Sequence, residues 1–387
     1  MTPPGPSFEF ATAGRIVFGP GRADDLPTLV AGLGTRALVC TGTKPERHRA
    51  LIDALPVPAN VFEVDGEPTV DMARAAVAAA RAQKTDVVIA IGGGSPLDLG
   101  KAVAMLLGNG GDPLDYLEVI GDGRPITAPS VPFVAVPTTA GTGAEVTANA
   151  VLASAEHRQK ASLRSGFMLA RIAVVDPLLT LGCPPTVTAA SGLDALTQCL
   201  EPFVSPQATP LTDGLAREGL RRAASGLRAG YADGTDVAAR TDMALCSLLG
   251  GMALANAKLG AVHGFAGVIG GMVEVAHGAV CAALLAPIVQ INVRALLVRE
   301  PSNPALGRYA EAARLLTSRP EATVQDGIDW IRDTVTRLAI PGLAALGVLP
   351  GTADEIVAKA RTASSTRGNP IALTADELHE ALALALG

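Results

Sequence analysis

Three residues far apart in the chain, Asp194, His263 and His277, are of the types that hold a divalent cation: a carboxylate and two imidazoles make up most of such a site. Gln198 follows Asp194 by four residues, so on a helix the two share a face. Its amide oxygen is a tolerable fourth donor, though a third imidazole would bind more tightly. The two histidines must arrive from separate segments that converge on that face. A lone histidine is more often a satisfied core residue, but the chain has only 5, and the placement of two with Asp194 favours function. Cys281, four residues after His277, offers a soft substitute, against the commoner fate of a buried thiol.

Upstream, residues 86–104 (DVVIAIGGGSPLDLGKAVA) read as strand, glycine turn and helix. Gly93 and Gly94 let the backbone approach a pyrophosphate, and the helix that follows presents free N–H groups and the positive end of its dipole. Ser95 can donate or cap there, Asp98 suits the first helical turn, and Lys101 pairs with Asp98 or reaches solvent. The spacing is not GxGxxG, and a tight turn in any α/β protein looks similar. A second polar turn runs from Pro137 to Glu145, where Thr138, Thr139 and Thr142 offer hydroxyls to a phosphate or ribose, or make an ordinary capping turn. After a strand over residues 37–41 come Gly42, Thr43 and Lys44, then Glu46 and Arg47. No acid occupies the first positions, and Lys44 and Arg47 suit a 2′-phosphate. NADP(H) is therefore expected ahead of NAD(H), with Glu46 weighing against it.

The elements that must position these groups change character along the chain. Short apolar, β-branched runs at 37–41, 87–91, 133–136 and 172–175 alternate with helical segments, which implies a parallel sheet with helices on its faces. After Pro184-Pro185 strand signals vanish and long Ala/Leu segments take over, at 189–203, 211–230, 237–258, 278–298, 303–317, 324–338 and 375–386. Two domains are expected: 1–185, an α/β dinucleotide-binding domain, and 186–387, an all-helical metal and substrate domain. A composition 49% hydrophobic and 18% charged supplies ample core and argues against disorder. A net charge of −6 gives no electrostatic reason to bind nucleic acid or an anionic membrane. The apolar stretch 243–297 is interrupted by Lys258, His263, Glu274 and His277, so core helices rather than a membrane span are expected. The opening MTPPGPSFEF has no signal-peptide pattern, and the 5 cysteines form no CxxC pair, which together suggest reduced thiols in a cytoplasmic protein.

These segments resemble the iron-containing (group III) alcohol dehydrogenase family. The matching motifs are GGGSPLDLGKAVA, VPTTAGTGAEVT, VVDPLLT, GLDALTQCLEPF, AVHGF, EVAHGAV and RGNP, in family order along nearly the whole chain. The resemblance implies an N-terminal Rossmann-like parallel-sheet domain, a C-terminal helical domain and an active site in the cleft between them. It also implies reduction of small aldehydes or ketones, or oxidation of alcohols, with NAD(H) or NADP(H). Family metal ligands are an Asp, a His four residues later and two later histidines; here those positions are Asp194, Gln198, His263 and His277, so one departs. Gly267 stands where many members carry a further histidine.

The expected reaction is hydride exchange between a nicotinamide and a small aldehyde or its primary alcohol, with Fe²⁺ or Zn²⁺ polarising the carbonyl. His277 or His263 would donate the proton if no metal took part. Lys258 and Arg367 are the cations that would meet an anionic substrate group, such as a phosphonate or carboxylate, unless they are ordinary surface charges. The competing expectations are a metal-independent reductase of an oxo acid, similar to maleylacetate reductases, and a non-catalytic nucleotide-binding protein. A homodimer through apolar helical faces is expected, with no nucleic-acid or membrane partner.

Overall fold

The computed structural model describes residues 7–157 and 159–387, so the start of the opening segment MTPPGPSFEF lies outside the described residues. The chain forms two compact units: one comprises Thr12–Pro184 with Asp233–Ala244, the other Pro185–Ala232 and Leu245–Gly387 together with the described residues 7–11.

The first unit is built on a six-stranded sheet of β1 (Ile16–Phe18), β2 (Ala37–Gly42), β3 (Ala59–Val64), β4 (Val87–Gly92), β5 (Phe133–Pro137) and β8 (Ile172–Val175), in the order β1-β8-β5-β4-β2-β3. Every pairing is parallel. Strands β4, β5 and β8 are buried at every position, as expected where helices cover both faces of a parallel sheet. Val39, Ile89, Ile91, Val134, Val136 and Val174 form the middle of its core. The edge strand β3 is mostly exposed, which explains its weak apolar signal. A separate antiparallel pair, β6 (Asn149–Ser154) with β7 (Gln159–Arg164), adds to the strands expected from the sequence. Buried positions alternate along both strands, but β7 (QKASLR) is too polar to read as a strand, and β6 (NAVLAS) is a short run with a single β-branched residue. The strand order reverses between β2 and β4, so the carboxyl ends of these two neighbours flank a topological switch point.

The longer helices of this unit are α1 (Val70–Ala82), capped by the Thr69 hydroxyl, and α2 (Gly94–Asn109), which leaves the end of β4. The other unit is helical. In chain order it contributes α3 (Pro185–Val204), α4 (Pro210–Ala232), α5 (Val237–Ala257), α6 (Ala261–Met272), α7 (His277–Arg299), α8 (Ala305–Thr317), α9 (Val324–Arg337), α10 (Ala353–Thr362) and α11 (Ala375–Leu386). The first residues of α5 group with the sheet unit. Helices α6 and α10 are faint in the sequence because Gly264, Gly267, Gly270 and Gly271 dilute one and flanking polar residues shorten the other. Helix α7 packs on α3, α6 and α11. By length and composition α5 and α7 would pass for membrane spans, but 61% and 72% of their apolar windows are buried inside the protein, as in core helices.

Candidate functional site

Helix α3 carries Asp194, Gln198 and Glu201 at i, i+4 and i+7, a buried polar stripe along one side of the helix. His263 lies in the first turn of α6, and His277 is the first residue of α7. The start of α7 comes close to α3 because residue 278 is glycine. A Cβ there would sit 2.5 Å from the Ala190 carbonyl oxygen, one turn before Asp194.

The structure thus brings Asp194, Gln198, His263 and His277 together. His263 Nε2 is 3.3 Å from Asp194 Oδ1, and His277 Nε2 is 4.0 Å from the same oxygen. Cys281, one turn after His277, places Sγ 3.6 Å from His277 Nε2. One donor atom each from Asp194, His263, His277 and Cys281 lies within 4.8 Å of all the others. Asp194, His263 and Cys281 are buried, whereas the His277 side chain keeps 31% of its surface exposed, so the cluster opens on that flank.

Gln198 Nε2 donates to Asp194 Oδ2 at 2.9 Å, an orientation set by a carboxylate that only accepts. Asp194 Oδ1, Gln198 Oε1 and His263 Nε2 are all buried without a hydrogen-bond partner. Each such orphan costs about 1–3 kcal/mol, and orphans gathered in one cluster need a common partner. Donors that are carboxylate, imidazole and amide oxygen suit a divalent cation, so the residues present fit one.

Behind the cluster, Glu201 fixes His263. Its Oε2 is 2.7 Å from His263 Nδ1, and its Oε1 accepts the Val262 N–H at 2.7 Å. Nδ1 thereby keeps its proton toward Glu201, and Nε2, the nitrogen a cation would take, faces the cluster. The electrostatics agree. Cys281 first, then Asp194, push the His277 pKa up to about 9 against burial. Burial pulls His263 down, but Cys281, Asp194 and Glu201 more than offset it and leave it well above the usual imidazole value. Burial pushes Asp194 up, yet His263 and His277 hold it below the usual carboxylate range. The centre of the cluster therefore favours positive charge, and a dication would compete there with the imidazole protons.

In the sheet unit, Gly92 at the end of β4 pairs in register with Pro137 at the end of β5, and the Thr138 N–H donates to the Gly92 carbonyl at 2.9 Å. The two polar turns consequently face each other. A Cβ on Gly94 would lie 2.9 Å from Thr142 Cγ2, and one on Gly93 3.3 Å from Thr139 Oγ1, so any other residue would crowd these threonines. Gly93 occupies the N-cap of α2 with no side-chain cap, which leaves the amides of Gly94 and Ser95 without intrahelical partners. Ser95 is therefore inside the first turn rather than capping it, and Asp98 falls one turn later than expected. Asp98 Oδ1 pairs with Lys101 Nζ at 2.9 Å and Oδ2 accepts the Val151 N–H at 3.1 Å, so its carboxylate is committed to the scaffold. Gly42 ends β2, with Lys44 and Arg47 exposed just beyond it.

Residues 13–177 match the family described as iron-containing alcohol dehydrogenase, and residues 188–386 match the C-terminal part of the Fe-containing alcohol dehydrogenase family. The chain belongs to the iron-containing alcohol dehydrogenase family. It is accordingly an oxidoreductase that acts on an alcohol or aldehyde with a nicotinamide cofactor. It is 39% identical over 294 residues to long-chain-alcohol dehydrogenase 1 of Geobacillus thermodenitrificans (strain NG80-2), a match that covers 72% of this chain and 73% of that one. A solved structure of 1,3-propanediol oxidoreductase superposes with a TM-score of 0.90 at 30% identity, covering 98% of this chain and 100% of the other. The sulfoacetaldehyde reductase of Bifidobacterium kashiwanohense, solved in complex with NAD+, gives a TM-score of 0.87 at 28% identity and 99% coverage of both chains.

Two groups at the dehydrogenase site are faint in the sequence. Glu201 carries a legible signal, the i+7 spacing from Asp194, but looks like one more helix carboxylate. Cys281 looks like a core thiol because its neighbours Val280, Ala282 and Leu284 are apolar. Its sulfur is indeed buried, yet it is buried in the polar cluster. Gly267 is exposed, and a Cβ placed on it would meet nothing within 4 Å, so α6 leaves open space at the position of the further family histidine. The 5 cysteines comprise Cys40, Cys199, Cys246 and Cys281, all buried, and Cys183, half-buried; none is in a disulfide.

Proposed function

We propose that this dehydrogenase interconverts a small aldehyde and its primary alcohol, with a divalent cation held by Asp194, His263 and His277 and the Gln198 carboxamide beside them. A bound cation would act as Lewis acid on the substrate oxygen, and the nicotinamide would exchange hydride with its carbon. The convergence of buried, unpartnered atoms on Asp194 Oδ1 carries this assignment. Asp194 supplies the negative charge, Glu201 keeps the His263 Nε2 lone pair directed inward, and His277, on the exposed flank, leaves room for a substrate oxygen. In the sheet unit the Gly94 and Ser95 amides and the dipole of α2 suit the cofactor phosphates, and Gly93 keeps the approach clear. Thr138, Thr139 and Thr142 suit the ribose and phosphate hydrogen bonds, while Asp98 acts indirectly by holding Lys101.

NADP(H) is the preferred cofactor in this proposal, because Gly42 opens a turn at the switch point and the exposed Lys44 and Arg47 follow it. An anionic aldehyde is the preferred substrate. Lys258 adopts a left-handed backbone (φ 64) after α5, and its Cβ lies 3.1 Å from where a Cβ on Gly368 would be, which sets it beside the Arg367 segment. Both side chains are exposed, and Lys258 stands in the turn that leads to His263. The similarity to a sulfoacetaldehyde reductase points the same way.

The deciding experiment is metal analysis of anaerobically purified protein beside Asp194→Ala, with NADPH-dependent reduction of sulfoacetaldehyde and an uncharged aldehyde followed in parallel. The native chain should hold close to one metal ion and prefer the anion. The variant should lose the ion and about 10³-fold in kcat/KM, equivalent to roughly 4 kcal/mol of transition-state stabilisation. Equal turnover in the metal-free variant would refute the metal assignment.

A further inference from the structure

Four residues after Asp194, where the family supplies an imidazole, this chain has Gln198, and four residues after His277 it has Cys281. Both pairs are i, i+4 on a helix, so each second residue stands next to the ligand before it. We propose that Cys281, as its thiolate, is the fourth protein ligand of the cation, and that Gln198 positions Asp194 instead of binding the ion. This rests on the assignment of Asp194, His263 and His277 as the cation site.

Two of the separations are already those of a four-donor shell, while His277 Nε2 and Asp194 Oδ1, 4.0 Å apart, have to draw closer. With metal–nitrogen and metal–oxygen bonds of about 2.0 Å and a metal–sulfur bond of about 2.3 Å, a four-donor tetrahedral set would have edges of roughly 3.3 Å between nitrogen and oxygen and roughly 3.5 Å between nitrogen and sulfur. His263 Nε2 and Asp194 Oδ1 are 3.3 Å apart, and Cys281 Sγ and His277 Nε2 are 3.6 Å apart. The thiol is not alone: the unpartnered Asp194 Oδ1 and His263 Nε2 belong to residues only 1% and 6% exposed and lie in the same cluster. Gln198 Oε1 is buried and unpartnered as well, but the side chain is already engaged through its other atom. Its Nε2 is spent on Asp194 Oδ2 at 2.9 Å, which turns Oδ1 of the same carboxylate toward the imidazoles.

Charge and softness favour the sulfur. On coordination the Cys281 S–H bond breaks, the electron pair stays on sulfur to form the metal–sulfur bond, and the proton leaves to solvent. One thiolate and one carboxylate then balance the dication, which an amide oxygen in place of sulfur would leave with net positive charge. A thiolate among the donors also moves selectivity toward Zn²⁺ and away from Mn²⁺.

The test uses the full-length protein stripped with a chelator, reloaded with Co²⁺ and read by absorption. Native protein and Gln198→Ala should each bind one Co²⁺ and show an intense near-ultraviolet thiolate-to-cobalt charge-transfer band. Cys281→Ser should lack the band. Its Zn²⁺ affinity should fall by more than the roughly 10–100-fold that loss of an outer-shell partner costs, while its Mn²⁺ affinity changes less. Co²⁺ bound at one per chain without the band, and with affinity unaltered in Cys281→Ser, would overturn the thiolate and leave the Asp194 site standing. Absence of Co²⁺ binding in every form, including the native chain, would overturn both.

Discussion

The two units each bury a charged cluster around an aspartate on a helix, and only one of them is closed. In the sheet unit, Asp98 pairs with Lys101, Lys101 Nζ also donates to the Thr147 hydroxyl at 3.0 Å, and that hydroxyl donates to the Ala144 carbonyl at 3.3 Å. Lys101 is 1% exposed, yet its charge is matched, and the bonds tie α2 to the polar turn after β5 and to β6. In the helical unit Gln198 holds Asp194 from one side and Glu201 holds His263 from the other, but Asp194 Oδ1 and His263 Nε2 between them have no hydrogen-bond partner. A buried polar network that closes on itself is scaffold. One that ends in orphaned donors facing each other is built to receive something.

The largest effect that separates the two is on stability. Lys101→Met should cost roughly 3–5 kcal/mol, read as a lower urea midpoint, because it strands the Asp98 carboxylate in a mostly buried position. Asp194→Asn should cost clearly less while abolishing metal binding, since Oδ1 satisfies no hydrogen bond within the chain. If Asp194→Asn proves the costlier change, orphaned atoms do not distinguish receptor from scaffold here.

A second effect, somewhat smaller, comes from Glu145, buried beside the closed cluster. Burial pushes its pKa up from 4.5 to about 7, against the pull of its own backbone amide and Lys101. The folded state thus keeps a proton that the unfolded chain releases first. Its contribution is fully present below about pH 4.5 and is lost as pH rises through about 7. Unfolding free energy should fall by on the order of 3 kcal/mol across that window from this group, and Glu145→Gln should flatten the slope. An unchanged pH profile in that variant would remove Glu145 from the account.

The smallest expected effect sharpens the open cluster. Glu201→Gln can still accept the Val262 N–H but loses the charge behind His263 Nδ1. Metal affinity should fall about 10–100-fold, with the unfolding midpoint nearly unmoved. Loss of folding in place of weaker binding would make Glu201 a structural group.

Much of this is legible in the sequence because it is local. Strand, glycine turn and helix follow from VVIAIGGGSPLDLGKA, since buried parallel strands read as apolar runs and glycine is what a close turn requires. Helical periodicity announces the change of architecture after Pro184-Pro185, and the i, i+4 spacing by itself puts Asp194 and Gln198 on one face. The β6–β7 pair and α10 are not legible there, as half-exposed elements with diluted apolar patterns.

What the chain alone determined, then, was the identity of the chemical groups and their neighbours within one or two helical turns. Which way each buried side chain faces was decided only by packing. Gly278 allows α7 to press against Ala190, and that approach turns both His277 and Cys281 toward Asp194. Helix α6 adds His263 with Glu201 behind it. The helix start at Gly94 spends Asp98 on Lys101. Such choices depend on contacts between residues dozens of positions apart, whose geometry is set by how helices interlock and not by the periodicity of any one of them.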